Sequence, residues 1–463
     1  MKTLLLSVNA RRSQLLISFI LFLLFAVLFL AAQSIVKGEE NGGGMQPVAY
    51  LPIVIDQSIK NAGWSELGTN SAREGGISAS IQDSIDPAIA TAPNGDLYIA
   101  WTEVITAGVN GRSDIYVLKW DGNDWSEVGT DSATGGGISN TNNHSLNPDI
   151  AISASGIPYV AWSDEQANWQ IYVRRLNGLT WEEVGTGSAS GNGISDTTFP
   201  SELPSIGLDS NETPFVLWND NSASALYLRT FATPNWGELG TGSASGLGIT
   251  GKMDHYAKFA LAIAPNDRPT IASADNTSAS GYDVVVRQWD GNDTWSIVGG
   301  DKIVRATDNT SLLTNDWNPE LAIAPNGHIF VVWPDNLQNE SYDLRLREWN
   351  GSAWNIVGTD VVHTVVTDHF RRQSIGIEIG IDGNPIIAWK GFVAPQYELY
   401  AQRWTGSAWT DIGENSSTGD GISDNVGDSD NLSLAVAPDG TIYLAWNDDT
   451  SGDDQIYIRS WKD

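Results

Sequence analysis

Chemistry-bearing residues concentrate in a few short stretches of this chain. The segment DVVHTVVTDHFRRQS (360–374) gathers His363, His369, Arg371 and Arg372, and Glu378 follows shortly after it. An Arg pair can grip a carboxylate or other anion through forked donors. An imidazole can act as a base, and a carboxyl in a confined place can keep its proton and act as an acid. Two tryptophans, Trp169 and Trp317, stand apart from the regular Trp pattern described below, and each offers a flat face on which a ligand ring can stack. These seven residues are the candidate ligand-binding set. No catalytic residue is assigned, because no nucleophile elbow, P-loop or dinucleotide fingerprint is visible. His144, His255, His363 and His369 lack an H-x-x-x-H pair, which argues against zinc.

Two further features recur rather than stand out. An acid lies two residues after a strand-ending position at Glu103, Asp164, Asp220, Asp275, Asp335 and Asp448. Repetition favours a turn-capping role, since Asp accepts from nearby backbone N–H groups. The rival reading is calcium, a hard ion that takes oxygen ligands, and Asp424, Asp428, Asp430, Asp448, Asp449, Asp453 and Asp454 form the densest carboxylate group. Five loops share a Gly/Ser motif: NSAREGGIS (70–78), DSATGGGIS (131–139), GSASGNGIS (187–195), GSASGLGIT (242–250) and NSSTGDGIS (415–423). The motif either makes turns that dock the loop on a neighbouring blade or forms five equivalent sugar pockets from Ser hydroxyls and backbone N–H groups.

The elements that must position these residues follow from a repeat. Trp followed after two residues by an apolar-Gly pair occurs at Trp64, Trp125, Trp181, Trp236, Trp295, Trp354 and Trp409, a period of 55–61 residues. Within one repeat, PDIAISA (148–154), PYVAWSD (158–164), QIYVRRL (170–176) and TWEEVG (180–185) are β-branched or aromatic runs bounded by Gly, Asn or Asp turns. Four antiparallel strands repeated seven times predict an all-β, seven-bladed β-propeller over 64–463. The last repeat stops after its third strand, and the region begins with a lone fourth strand at 64–68. Pairing the two ends completes the last blade and leaves no exposed sheet edge.

Eighteen of the twenty Trp thereby become blade-packing residues. Seven begin fourth strands, six end second strands (Trp101, Trp162, Trp218, Trp333, Trp389 and Trp446, with Ser273 in the deviant repeat), and five end third strands. Function is expected on the face carrying the long loops, and at the mouth of the central channel. In the innermost strands one position is small, namely Ala90, Ala151, Gly207, Ala262, Ala322 and Ala435. Blade six has Glu378 there. The loops entering blades five and six lack the Gly/Ser motif, so the candidate His, Arg and Glu side chains are expected to gather on one side of the channel mouth.

Composition bounds the partners. The 463 residues carry 25 Lys+Arg against 56 Asp+Glu, a formal charge of −31, which excludes general affinity for nucleic acid. There is no Cys, so disulfides and thiolate chemistry are absent. Residues 15–32 form an unbroken apolar run after Lys2, Arg11 and Arg12, the plan of a secretory signal at the length limit of a membrane helix. The expected organisation is a signal peptide or N-terminal membrane anchor over 1–36 and a linker and lead-in over 37–63, followed by the propeller. Either reading of the first segment places the propeller outside the cytoplasm, secreted or surface-anchored, with membrane contact only through that segment.

Units such as PDIAISASGIPYVAWSDEQANWQIYVRRLNGLTWEEVG resemble repeats of bacterial exported propellers, including seven-bladed lectins. The turns WDGNDW (120–125), WNGSAW (349–354) and WTGSAW (404–409) resemble both the lectin W-x-G-x-x-W turn and the Asp-box turn of sialidases. The resemblance implies carbohydrate recognition without catalysis, on the long-loop face. The alternatives are a sialidase-like, glycan-cleaving enzyme with one site near blades five and six, and a scaffold for a surface-protein partner. No cofactor is expected apart from the calcium alternative.

Overall fold

A computed structural model describes residues 63–463 except 107–110, 222, 252–258, 279–280, 304–317, 338–340, 360–362 and 367–373. The apolar run and nearly all of the lead-in lie outside the described residues. Alternating apolar runs between Gly and Asn turns do form strands, and these assemble into seven antiparallel sheets. Blade two consists of Ser145–Ile152, Pro158–Asp164, Gln170–Asn177 and Thr180–Glu183, paired in chain order from hub to rim. The expected seven-bladed propeller with four antiparallel strands per blade is present. Blade five carries one strand more, His363–Val366, paired with its third strand Ser341–Trp349.

Ring closure is as expected. The N-terminal strand Ser65–Glu66 pairs with Gln455–Trp461, Ser65 opposite Ser460 and Glu66 opposite Arg459, and completes the blade begun by Ser429–Val436 and Ile442–Asp448. The W-x-x-apolar-Gly signature explains how neighbouring blades lock. At five of the seven seams the indole N–H of the fourth-strand Trp donates to the carbonyl of the apolar residue in the preceding blade: Trp125 to Leu67 at 2.9 Å, Trp181 to Val128 and Trp236 to Val184 at 2.7 Å, Trp354 to Val298 at 3.2 Å. Trp64 makes the same bond to Ile412 at 2.8 Å. Trp295 and Trp409 make no such bond. The closing blade is therefore joined to its neighbour by the same bond that four other seams make.

Between blades the cores are apolar on both sheet faces, which is why the second strand Pro158–Asp164 is buried along its whole length. The six Trp that end second strands are 0–2% exposed and fill the space between sheets. In the deviant blade four, Ser273 stands where these Trp stand, and Arg287 replaces the indole. Its guanidinium donates to Ser273 Oγ at 3.2 Å and Asp275 Oδ2 at 2.5 Å, where Trp101 and Trp162 donate to Glu103 and Asp164 at 2.9 and 3.2 Å.

The inner strands share a bulge near the end where the long loops enter. Asp86, Asn147, Leu203 and Asn431 sit in these bulges with φ between +49° and +67°. Pro87, Pro148 and Pro204 follow three of them. A proline lacks the donor a regular ladder needs, so it ends regular pairing there and turns the strand out toward the rim of the channel.

Closure can be tested through Leu67, which is 3% exposed in the closing segment. Leu67→Ala is expected to cost about 2–5 kcal/mol in chemical denaturation, as for other buried Leu truncations. Deleting 64–68 is expected to give an aggregating or unfolded chain in size-exclusion chromatography; a stable monomeric deletion would refute the pairing.

Candidate functional site

The five Gly/Ser loops are occupied in holding each blade's outer edge. The fourth strand is short, Trp125–Glu127 against Arg112–Trp120 in blade one, so much of the third strand lacks a partner strand. The loop supplies it. Ser132 Oγ accepts the Val128 N–H at 2.7 Å and donates to the Val117 carbonyl at 2.8 Å. Further along, the Ile138 N–H donates to the Ile115 carbonyl, while Ser139 Oγ accepts the Ile115 N–H and donates to buried Asp114. Ser71, Ser188, Ser243 and Ser416 repeat the first arrangement, and Ser78, Ser195 and Ser423 the second. These hydroxyls are consumed by the blade. The loop docks on its own blade's third strand, and the motif is a turn-forming clasp rather than a set of open pockets.

The recurrent acids also hold backbone and side chains. Asp164 accepts from Ser145 Oγ at 2.8 Å, from the Gln166 N–H at 2.9 Å and from the Trp162 indole at 3.2 Å; Glu103, Asp220 and Asp448 each take a Ser at the start of the inner strand. Burial raises the Asp164 and Glu103 carboxyls above the usual carboxylate range against these bonds. In the WDGNDW turn, Asp121 Oδ1 accepts the Asn123 and Asp124 N–H groups at 2.9 and 3.0 Å, so this turn motif is structural too.

What remains for function is the hub. A cavity of about 430 Å³ lies between the inner strands, and all seven blades contribute to its wall. Inner strands pair on one side only, so their other edges turn backbone N–H and C=O groups toward this space. Glu378, on the inner strand Ile375–Ile379 of blade six, lines it. The seven strands crowd this half-buried carboxyl, and desolvation pushes it up to about 7.

Asp149, on the inner strand of blade two, also lines the cavity and escaped the sequence reading. It accepts the Ile206 N–H of blade three at 2.7 Å and its neighbour Ile150 N–H at 2.9 Å, yet desolvation still raises it to about 6. Its signal was available: two residues before the small inner-strand position most blades carry Ala, Ser or Gly, and Asp149 and Glu320 do not. Blades two and six are three steps apart around a ring of seven, so Asp149 and Glu378 occupy nearly opposite walls.

Trp169 stands where the third strand of blade two meets the inner strand of blade three. It follows the short helical turn Glu165–Ala167, and both Asn168 and Trp169 adopt left-handed backbone, φ +68° and +59°. That conformation is sparsely populated for a bulky residue and persists only where surroundings impose it. Here its carbonyl accepts the Ser201 N–H at 2.7 Å and the Gln170 amide at 3.0 Å. Two residues on from Ser201, Leu203 lines the cavity. Nearby Phe199, whose carbonyl also accepts from Gln170, is 54% exposed.

Of the odd sector, His363 and Glu378 fall among the described residues, and they stand on different blades. His363 opens the extra strand of blade five, opposite Leu344 on the outer side of the third strand, whereas Glu378 is on the innermost strand of blade six. The loop without Gly/Ser meets the demand of the third-strand edge with a regular strand, and that carries His363 away from the hub. Trp317, His369, Arg371 and Arg372 lie outside the described residues.

No family model matches the chain, and no curated protein matches it. Solved structures do. An ulvan lyase, described as a polysaccharide lyase, aligns at 13% identity over 81% of this chain and 93% of its own, TM-score 0.49. A lectin of Aleuria aurantia aligns at 14% over 67% and 93%, TM-score 0.39, and a Hadza microbial sialidase at 11% over 84% and 67%, TM-score 0.38. Sialidase and lectin, the architectures the repeats resemble, are thus among the similar structures.

Two outcomes test this account. A Cβ at Gly193 would lie 2.2 Å from the Ile171 carbonyl oxygen, whereas one at Gly191, with nearly the same φ, meets nothing within 4 Å. Gly191→Ala is expected to cost about 1–2 kcal/mol from the left-handed backbone alone, and Gly193→Ala clearly more in the same denaturation series. The second concerns Glu378. Its raised pKa means the folded chain holds a proton that the unfolded chain has released, so this residue's contribution to stability falls as pH rises from about 4.5 to about 7. Glu378→Gln is expected to raise the melting temperature relative to wild type at pH 8 and leave it unchanged at pH 4.

Proposed function

We propose that the protein binds a glycan, one per chain, at the hub cavity, with Glu378 and Asp149 on facing walls and Trp169 as the stacking face. The observation that carries this reading is the cavity itself. Its volume of about 430 Å³ falls within the range of small-ligand sites, roughly 300–1,000 Å³. Its wall of free strand edges supplies both donors and acceptors, as sugar hydroxyls require. Glu378 near neutral pH holds a proton and can donate to a hydroxyl as well as accept from one. The Gly/Ser loops, with their hydroxyls spent inside the blades, leave no repeated pocket, which supports one ligand over several. The ulvan lyase and the lectin act on or bind sugars by their names alone, and the present reading does not depend on them. The apolar run at 15–32 after Lys2, Arg11 and Arg12 supports export to a compartment where glycans are met.

A second reading is favoured by the proton on Glu378: the same site cleaves the glycan, with Glu378 as general acid. A glycan-array screen followed by isothermal titration is expected to give one ligand per chain, with affinity lowered at least tenfold by Glu378→Ala and by Trp169→Ala. Several ligands per chain, or unchanged affinity in both variants, overturns the hub site. Product analysis separates the two readings: new chain ends that vanish in Glu378→Gln, with binding retained, identify cleavage.

A further inference from the structure

The residue that follows the second-strand Trp reaches toward the inner strand of the next blade. In blades one and two it is Thr102 and Ser163, whose hydroxyls accept the N–H of Asn147 at 3.2 Å and of Leu203 at 3.1 Å. In blade six it is Lys390, 4% exposed, which donates to Asp430 Oδ1 at 3.0 Å and lies 4.5 Å from the Tyr397 ring centroid. Asp430 in turn accepts the Asn431 N–H at 2.8 Å. At that seam the chain brings its own cation.

In blade seven the same position is Asn447, 3% exposed. Its Nδ2 donates to Asp454 Oδ1 at 2.9 Å, and its Oδ1 is buried without a partner. Leaving such an oxygen unpaired costs about 1–3 kcal/mol. Carboxylates crowd round it. Asp430 is opposite Asn447 in the sheet register, and Asp83 from the loop entering blade one accepts the Asp454 N–H at 3.1 Å. Asp449 lies close by on the loop that follows the second strand. Asp83, Asp449 and Asp430 all lie near the Asp454 carboxyl. Asp430 has Lys390 as its partner, but among the described residues no Lys or Arg pairs with Asp454 or Asp83.

We propose that a divalent cation, calcium by the hardness of the oxygens on offer, binds at the seam between blades seven and one, with Asn447 Oδ1 and Asp454 as ligands and Asp83 as supporting charge. Among the described residues no three carboxylate or imidazole side chains already converge as a metal shell, so the site takes an amide oxygen, few carboxylates and water. Such a set belongs to the weak end of calcium affinities, about 10⁻⁴–10⁻³ M, the range of extracellular modules. Bound only by the folded ring, the ion stabilises the blade that holds both ends of the propeller.

The test uses the full chain, first stripped with chelator, titrated with calcium chloride alone and melted at each concentration. The expected result is one calorimetric site and a melting temperature that climbs with calcium. Asp454→Asn is expected to melt higher than wild type without calcium, because like charge is removed, and to lose the calcium-dependent climb. That combination distinguishes a ligand from a residue that merely holds the fold. Asp439→Asn, whose partner is Lys462 on the opposite end of the blade, is expected to keep the wild-type response. No heat and no climb in wild type at about 10 mM calcium, well above the affinity range given, or a full response in Asp454→Asn, overturns the proposal.

Discussion

The organising constraint is the outer edge of the third strand. Buried backbone N–H and C=O groups must be paired, and a fourth strand of two to four residues cannot pair a third strand of seven to nine. The chain answers by running its long loop down the remaining edge. Much of the sequence's regularity is a consequence. The first Ser of the motif bridges two backbone groups, the last Ser reaches the third strand again, and the glycine between them approaches a carbonyl so closely that no Cβ fits. A Tyr on the third strand, such as Tyr172, then ties the loop by donating to the Gly191 carbonyl at 2.6 Å.

This division of labour sorts the molecule radially. Rim loops that look like binding loops are committed to holding their blades. Between blades, Trp and aliphatic side chains close the space, with indole N–H groups fixing five of the seven blades to their predecessors. Only at the hub, where the innermost strands have no further partner, do backbone groups face open space, and there the repeat relaxes enough to admit Asp149, Glu320 and Glu378. The functional proposal follows from this gradient: chemistry sits where the repeat has no structural demand left to meet.

What could be read from the chain alone follows the same line. Blade number, strand order, closure through 64–68 and the packing role of the second-strand Trp were legible because each depends on local pattern repeated at a fixed period. Single substitutions against the repeat, such as Glu378, were legible as departures. Partnerships made through space were not. Arg287 standing in for a missing indole, the edge-strand fate of His363, the bridge from Asp149 to blade three and the pairing of Lys390 with Asp430 join residues that no period links. Trp169 was found as an exception to a pattern, but its left-handed backbone and its hold on the inner strand of blade three involve Ser201 and Gln170.

The closing pair of strands also has a mechanical meaning. Ser65 lies opposite Ser460 and Glu66 opposite Arg459, so the incoming chain at residue 63 and the last residues at 461–463 leave the ladder from the same end. Tension applied between them loads the backbone bonds one after another, as a zipper opens, instead of shearing them together. Resistance then falls to what the ladder does not contain: the Trp64 indole bonded to Ile412 in the neighbouring blade, and Leu67 seated in the core. Under load the ring is held shut first by two side chains set crosswise to the strands and then by the clasp of residues 70–78 on the last strand, and a pull on the incoming chain is borne by blade six as well as by blade seven.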